Sequence, residues 1–138
     1  MTRAAILVIA LASGAAACGS SSDSTTPTTP TTPKTTDTLS GTVQVKGSDF
    51  KPFTVTTAGE VDVTLTTATP PSTIIMGIGI GTLGTGDCIL LANASALTPA
   101  GSSPQVTGIM SPGTYCVRVY DVGNQTDPVS WTATVLHP

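Results

Sequence analysis

A two-residue rhythm dominates the C-terminal part of this chain. Val129, Trp131, Ala133 and Val135 alternate with Ser130, Thr132 and Thr134. Successive side chains of an extended strand point to opposite faces, so this spelling gives one apolar and one wet face. Val61, Val63 and Leu65 alternate with Glu60, Asp62, Thr64 and Thr66, Val43 and Val45 with Thr42, Gln44 and Lys46, and Phe53 and Val55 with Thr54 and Thr56. Tyr115, Val117 and Val119 share one face, with Cys116, Arg118 and Tyr120 on the other. Turn signals recur at Gly47-Ser48, Ala58-Gly59, Pro70-Pro71, Ser111-Pro112-Gly113 and Gly123-Asn124. The pattern predicts an all-β domain over 39–138, a single antiparallel sandwich with about seven or eight strands. Ala58-Gly59 is expected to close a hairpin between the second and third strands, and a strand is expected from Cys88 to Leu91, with a short helical turn within Asp87 to Leu97 as the alternative.

The glycines Gly77, Gly79, Gly81, Gly84 and Gly86 call for a separate reading, because Gly79 to Gly84 has the spacing GxGxxG. A dinucleotide site needs a helix opening at that point and an acidic residue about 20 positions on. Alternation accounts for the glycines better: Ile74, Met76, Ile78 and Ile80 form an apolar face and Gly77, Gly79 and Gly81 the opposite one. Glycine on a strand face marks a bulge, a bend or a close backbone approach, and a partner's backbone is one candidate for that approach. No nucleotide partner is expected.

Ahead of the domain the composition changes twice. Arg3 precedes an apolar run from Ala4 to Ala12, followed by small residues to Ala17. A spanning helix needs about 20 apolar residues, more than this run supplies, so it reads as an export signal over 1–17. Ala15-Ala16-Ala17-Cys18-Gly19 resembles the end of a bacterial lipoprotein signal, although Ala15 stands where that family more often has Leu. The resemblance implies that Cys18 becomes the acylated first residue of the mature chain. A plain secretory signal with Cys18 as a free thiol is the alternative. Gly19 rather than Asp after the cysteine resembles outer-membrane sorting in a cell with two membranes, with a periplasmic or a surface face. Residues 18–38 are rich in Ser, Thr and Pro, including Thr25-Thr26-Pro27-Thr28-Thr29-Pro30. With little apolar surface to bury, they are expected to form a disordered tether. At about 3.1 Å per residue, some 20 residues reach roughly 60 Å.

The chain has three cysteines, an odd number that needs explaining in an exported protein. If Cys18 carries lipid, Cys88 and Cys116 remain as an even pair expected to bridge in an oxidising compartment. Two buried thiols are the alternative.

Charge excludes some partners. Over the domain, Lys46, Lys51 and Arg118 stand against Asp49, Glu60, Asp62, Asp87, Asp121 and Asp127. There is no basic patch, so no nucleic acid is expected, and membrane attachment rests on acyl chains rather than on adsorption to anionic lipid. No residues suggest catalysis: His137, the sole histidine, stands next to the C-terminus where fraying is the default, and neither a GxSxG elbow nor a zinc spacing occurs. No cofactor and no metal is expected. Asp121, Asn124 and Asp127 could approach calcium in one loop, but Asp and Asn also favour turns, and the turn reading is preferred. Asn93-Ala94-Ser95 and Asn124-Gln125-Thr126 match glycosylation sequons, which carry no weight in a bacterial lipoprotein. Trp131 and Phe53 lie in phase with the core, which leaves Tyr120 as the outward aromatic.

Pro112-Gly113-Thr114-Tyr115-Cys116-Val117-Arg118-Val119-Tyr120-Asp121 resembles the last-third signature of bacterial pre-peptidase C-terminal domains. The likeness extends loosely over Phe50 to Val135, including Phe53-Thr54-Val55 and Ala58-Gly59-Glu60-Val61. It implies a small, noncatalytic jelly-roll-like sandwich serving as a binding or accessory module. This chain departs from the family at Ile74 to Gly81, where those domains often carry an acidic, aromatic strand.

The sequence thus predicts a lipid-anchored protein of the bacterial envelope that displays a noncatalytic binding or envelope-interaction module. Its partners would be the membrane and an envelope protein or polysaccharide. A structural spacer or surface-coat protein without a specific ligand, and a weak carbohydrate-binding module using Tyr120, are the alternatives. Tyr120, Asp121, Asn124 and Asp127 are the candidate binding residues, followed by the glycine face of Gly77 to Gly81.

Overall fold

The computed structural model describes residues 32–138. The expected signal over 1–17, Cys18 and the tether as far as residue 31 lie outside the described residues. Eight strands follow one another: β1 (Thr35–Val43), β2 (Ser48–Val55), β3 (Gly59–Thr69), β4 (Met76–Leu83), β5 (Cys88–Thr98), β6 (Val106–Met110), β7 (Gly113–Tyr120) and β8 (Val129–His137). They form two four-stranded antiparallel sheets, ordered β1-β8-β3-β6 and β2-β7-β4-β5. Every connection except β4 to β5 passes from one sheet to the other, which is the double-sheet jelly roll with its two Greek keys.

That order corrects one expectation. Ala58-Gly59 does not close a hairpin, because β2 and β3 belong to opposite sheets; the short link arches across the core. Alternation tells which face of a strand is buried, and strands from either layer satisfy it equally.

The inward residues of both sheets meet in one core. Val43, Val61, Val63, Leu65, Val129, Ala133 and Val135 come from the first sheet, and Val55, Met76, Ile78, Ile80, Val117 and Val119 from the second, all fully or almost fully buried. Apart from Ala133, each such side chain contributes about 1.5–3 kcal/mol by leaving water, against the entropy of ordering its segment. Trp131 and Phe53 are buried among them, and Trp131 Nε1 donates to Asp49 Oδ2 at 3.1 Å, so the indole keeps its one polar group satisfied. A bulge between Leu65 and Thr67 shifts the register of β3 against β8. The extra residue inverts the phase of the strand, so Ala68 faces inward and pairs with Trp131.

Several boundaries differ from those expected. β1 starts at Thr35, inside the segment read as tether, and Thr35 pairs with His137 while Asp37 pairs with Val135. The long last strand offers backbone partners that a compositional reading does not see, and threonine suits a strand. Lys34, just before β1, lies 3.2 Å from both Glu60 and Asp62. His137 does not fray: it is buried in β8, with Nε2 3.1 Å from Asp37 Oδ2 and its ring 5.7 Å from Phe53. Val45 lies beyond the end of β1 and is exposed. β5 runs to Thr98 instead of stopping at Leu91, with no helical turn. Its register breaks between Ser95, opposite Gly79, and Leu90, opposite Gly81. Asn93, within that break, has φ of 59°, a left-handed conformation that asparagine tolerates better than most residues.

Candidate functional site

The outer face of β2-β7-β4-β5 is built on glycine. On β4, Ile78 and Ile80 point into the core, which leaves Gly77, Gly79 and Gly81 outward, and all three are covered by other parts of the chain. The phenol ring of Tyr120 lies over Gly77, where an added Cβ would fall against three ring atoms at once. Over Gly79 a Cβ would come 2.9 Å from Leu90 Cδ2 and 2.8 Å from the Ala94 carbonyl oxygen. Over Gly81 it would come 2.8 Å from Cys88 Sγ. The close approach expected of these glycines is therefore intramolecular, and the glycine face is not a surface open to a partner backbone.

Cys88 and Cys116 form a disulfide with their Cα atoms 6.0 Å apart. It joins β5 to β7 across β4, which lies between them. Strands two places apart in a flat sheet are separated by about 9.6 Å. β5 therefore curls toward β7, and the absence of a side chain at Gly81 makes room for the bridge.

Beside this bridge a cleft of about 330 Å³ is lined by Lys46, Gly47, Ser48, Leu90, Arg118, Tyr120 and Asp121. Arg118 stands on β7 in phase with Tyr120, as the alternation predicts. Its Nη1 donates to the Cys88 carbonyl at 3.1 Å and lies 3.3 Å from the Asp87 carboxylate, while Nη2 donates to Ser48 Oγ at 3.1 Å. Arg118 Nε is buried with no hydrogen-bond partner among the described residues.

Asp121 holds one wall of the cleft. Its Oδ2 accepts from Lys46 N at 2.7 Å, and its Oδ1 accepts from Gly123 N at 2.7 Å, Asn124 N at 3.2 Å and Gln125 N at 3.3 Å. Its own N–H donates to the Gly47 carbonyl at 3.0 Å. Desolvation raises the Asp121 pKa, but the amides of Lys46, Gly123, Gln125 and Asn124 together outweigh it and hold the carboxyl below its usual range. Lys46 sits at φ 61°, in the turn that this carboxylate fixes.

The four candidate binding residues therefore divide. Tyr120 and Asp121 line the cleft. Asn124 instead donates from Nδ2 to the Ile75 carbonyl at 3.1 Å, and Asp127 accepts from its neighbour Thr126 at 3.0 Å. The Asp121 oxygens face amide hydrogens, whereas calcium requires converging oxygen ligands. Among the described residues no three His, Cys, Asp or Glu side chains gather around a common point. The sequence reading did not select Lys46, Ser48, Leu90 or Arg118 for the site. Arg118 carried a signal, its shared face with Tyr120; the others reach the cleft only through the pairing of β2 and β4 with β7 and of β5 with β4. In comparisons with known proteins, the chain matches no family model and no curated sequence.

Proposed function

We propose that this is a lipid-anchored protein of the bacterial envelope whose jelly roll is a noncatalytic binding module, with recognition in the cleft around Tyr120. The observation that carries the reading is the gathering of Lys46, Arg118 and Tyr120 around one cleft whose carboxylate is already engaged by backbone amides. The Lys46 ammonium and the Tyr120 ring are left to hold a ligand, with Arg118 beside them. The anchor rests on the signal-like run ending at Cys18, and an accessory role accords with the likeness of Pro112 to Asp121 to pre-peptidase C-terminal domains.

Crosslinking the full-length protein in its native envelope tests this. Tyr120→Ala and Lys46→Asn should each deplete the captured partners while the variants keep a single cooperative thermal transition; asparagine is chosen because it accepts the left-handed backbone at Lys46. Equal capture by all versions would reject the cleft. Capture of nothing above background by the wild type would replace a binding role with that of a spacer.

A further inference from the structure

We propose that the cleft ligand is a saccharide bearing a carboxylate. This rests on the reading of the cleft as the recognition site and adds the chemistry of what enters it. Tyr120 is half-buried, with one face of its ring seated on Gly77. A strand residue with any side chain at position 77 would displace the ring, so glycine gives Tyr120 the seat from which it lines the cleft. A flat, rigid aromatic surface suits the C–H face of a pyranose and loses little entropy on binding.

The charges specify the rest. The lining of the cleft carries two cations, Lys46 and Arg118, against one carboxylate, Asp121, with the Asp87 carboxylate paired to Arg118 outside the lining, in a chain of formal net charge −3. Lys34, Lys51 and Arg118 each lie within ion-pair distance of an acidic side chain, whereas Lys46 makes no ion pair among the described residues. Arg118 keeps a buried, unpartnered Nε, a donor whose desolvation nothing yet offsets. Its guanidinium has the planar fork that matches a carboxylate, and Asp87, its present acidic partner, is more than half exposed and can yield to a ligand. A cleft of about 330 Å³ falls at the small end of the range for small-molecule sites. Apart from the Tyr120 ring, Leu90 is the one apolar side chain in the lining, so the cleft offers little to a hydrophobic peptide anchor.

Two sources supply such a ring: uronic acid polymers, with the carboxylate on the sugar, and peptidoglycan, with the lactyl carboxylate of muramic acid. Titration calorimetry on the full-length protein should use a hexagalacturonate, its methyl ester, a muramyl disaccharide with a free lactyl carboxylate and the same disaccharide amidated. The proposal expects at least one free acid to bind, its ester or amide to bind about tenfold or more weakly, and affinity to fall as salt rises. Tyr120→Ala and Arg118→Lys should each weaken the binding acid about tenfold or more, with a single cooperative thermal transition well above the assay temperature showing that the variants are folded. Equal affinity for an acid and its neutral counterpart overturns the carboxylate assignment. Failure of all four sugars, while Tyr120→Ala still abolishes envelope crosslinking, overturns the saccharide and leaves the cleft standing. Acid binding that survives both substitutions overturns the cleft as well.

Discussion

Opening the Cys88–Cys116 bridge should cost this domain a large part of its stability. The bridge closes a loop with a sequence separation of 28, for which the chain-entropy relation gives about 3.6 kcal/mol at room temperature. For a folded unit of about 107 residues, an unfolding entropy near 2.1 cal/mol/K per residue converts this to a fall of roughly 16 °C in midpoint. Structure adds a local effect, because among the described residues β5 pairs only with β4 and the bridge is what draws it toward β7. Urea melts of the full-length protein, oxidised and reduced, and of the Cys88→Ala/Cys116→Ala double variant supply the measurement. Reduction leaves both sulfurs in place, so agreement between the reduced protein and the double variant isolates loop closure from lost packing. Hydrogen exchange should accelerate first in residues 88–91. A loss under about 1 kcal/mol with an unchanged urea slope would refute the reasoning, since it would mean that the unfolded chain is already confined between these positions without the bond.

Three further outcomes are expected. Gly77→Ala should displace the Tyr120 ring and lower stability by about 1–3 kcal/mol; a urea midpoint equal to wild type would show that the ring moves aside freely. The depressed Asp121 pKa makes its contribution full above the ordinary value of 3.8, with loss as pH falls through the lower folded value. The gap in thermal midpoint between wild type and Asp121→Asn should accordingly close in acid, and a gap that stays constant down to about pH 2 would contradict the amide cradle. Cys18→Ser should release the protein from the membrane fraction, because two or three acyl chains at about 0.8 kcal/mol per buried methylene make a firm anchor; an intact mass of the mature wild type without acyl groups would end that reading.

The fold was largely legible because a sandwich core repeats one rule. Val61, Val63, Val117, Val119, Val129 and Val135 all sit where a two-residue period puts them. Strand partners were not legible, since β2 and β3 obey the same rule in different sheets. The phase change at Thr66 and the long register break in β5 also escaped, because bulges leave no compositional trace. At the cleft, Tyr120 announced itself by phase, but its seating on Gly77 depends on β4 lying beside β7. Lys46 read as a wet-face strand residue, whereas it stands in a turn fixed by Asp121, far along the chain, which accepts from its amide. His137 was misjudged for a related reason: nearness to a chain end says little once Asp37 and Phe53 close over it.

The pairing of Thr35 with His137 places the start of β1 beside the last residues of the chain, while Val43 and Val129 mark the opposite end of the same two strands. The turn bearing Lys46 follows Val43, so the cleft stands about 30 Å from the point where the chain enters the sandwich, at roughly 3.3 Å per residue. If the residues before Thr35 form the expected tether and the cleft holds a ligand as proposed, a load between them runs nearly parallel to β1. The β1–β8 ladder meets that load in shear, with its backbone hydrogen bonds strained together instead of being peeled apart one by one. A ladder loaded this way resists far better than the same ladder pulled sideways from Thr35 against His137.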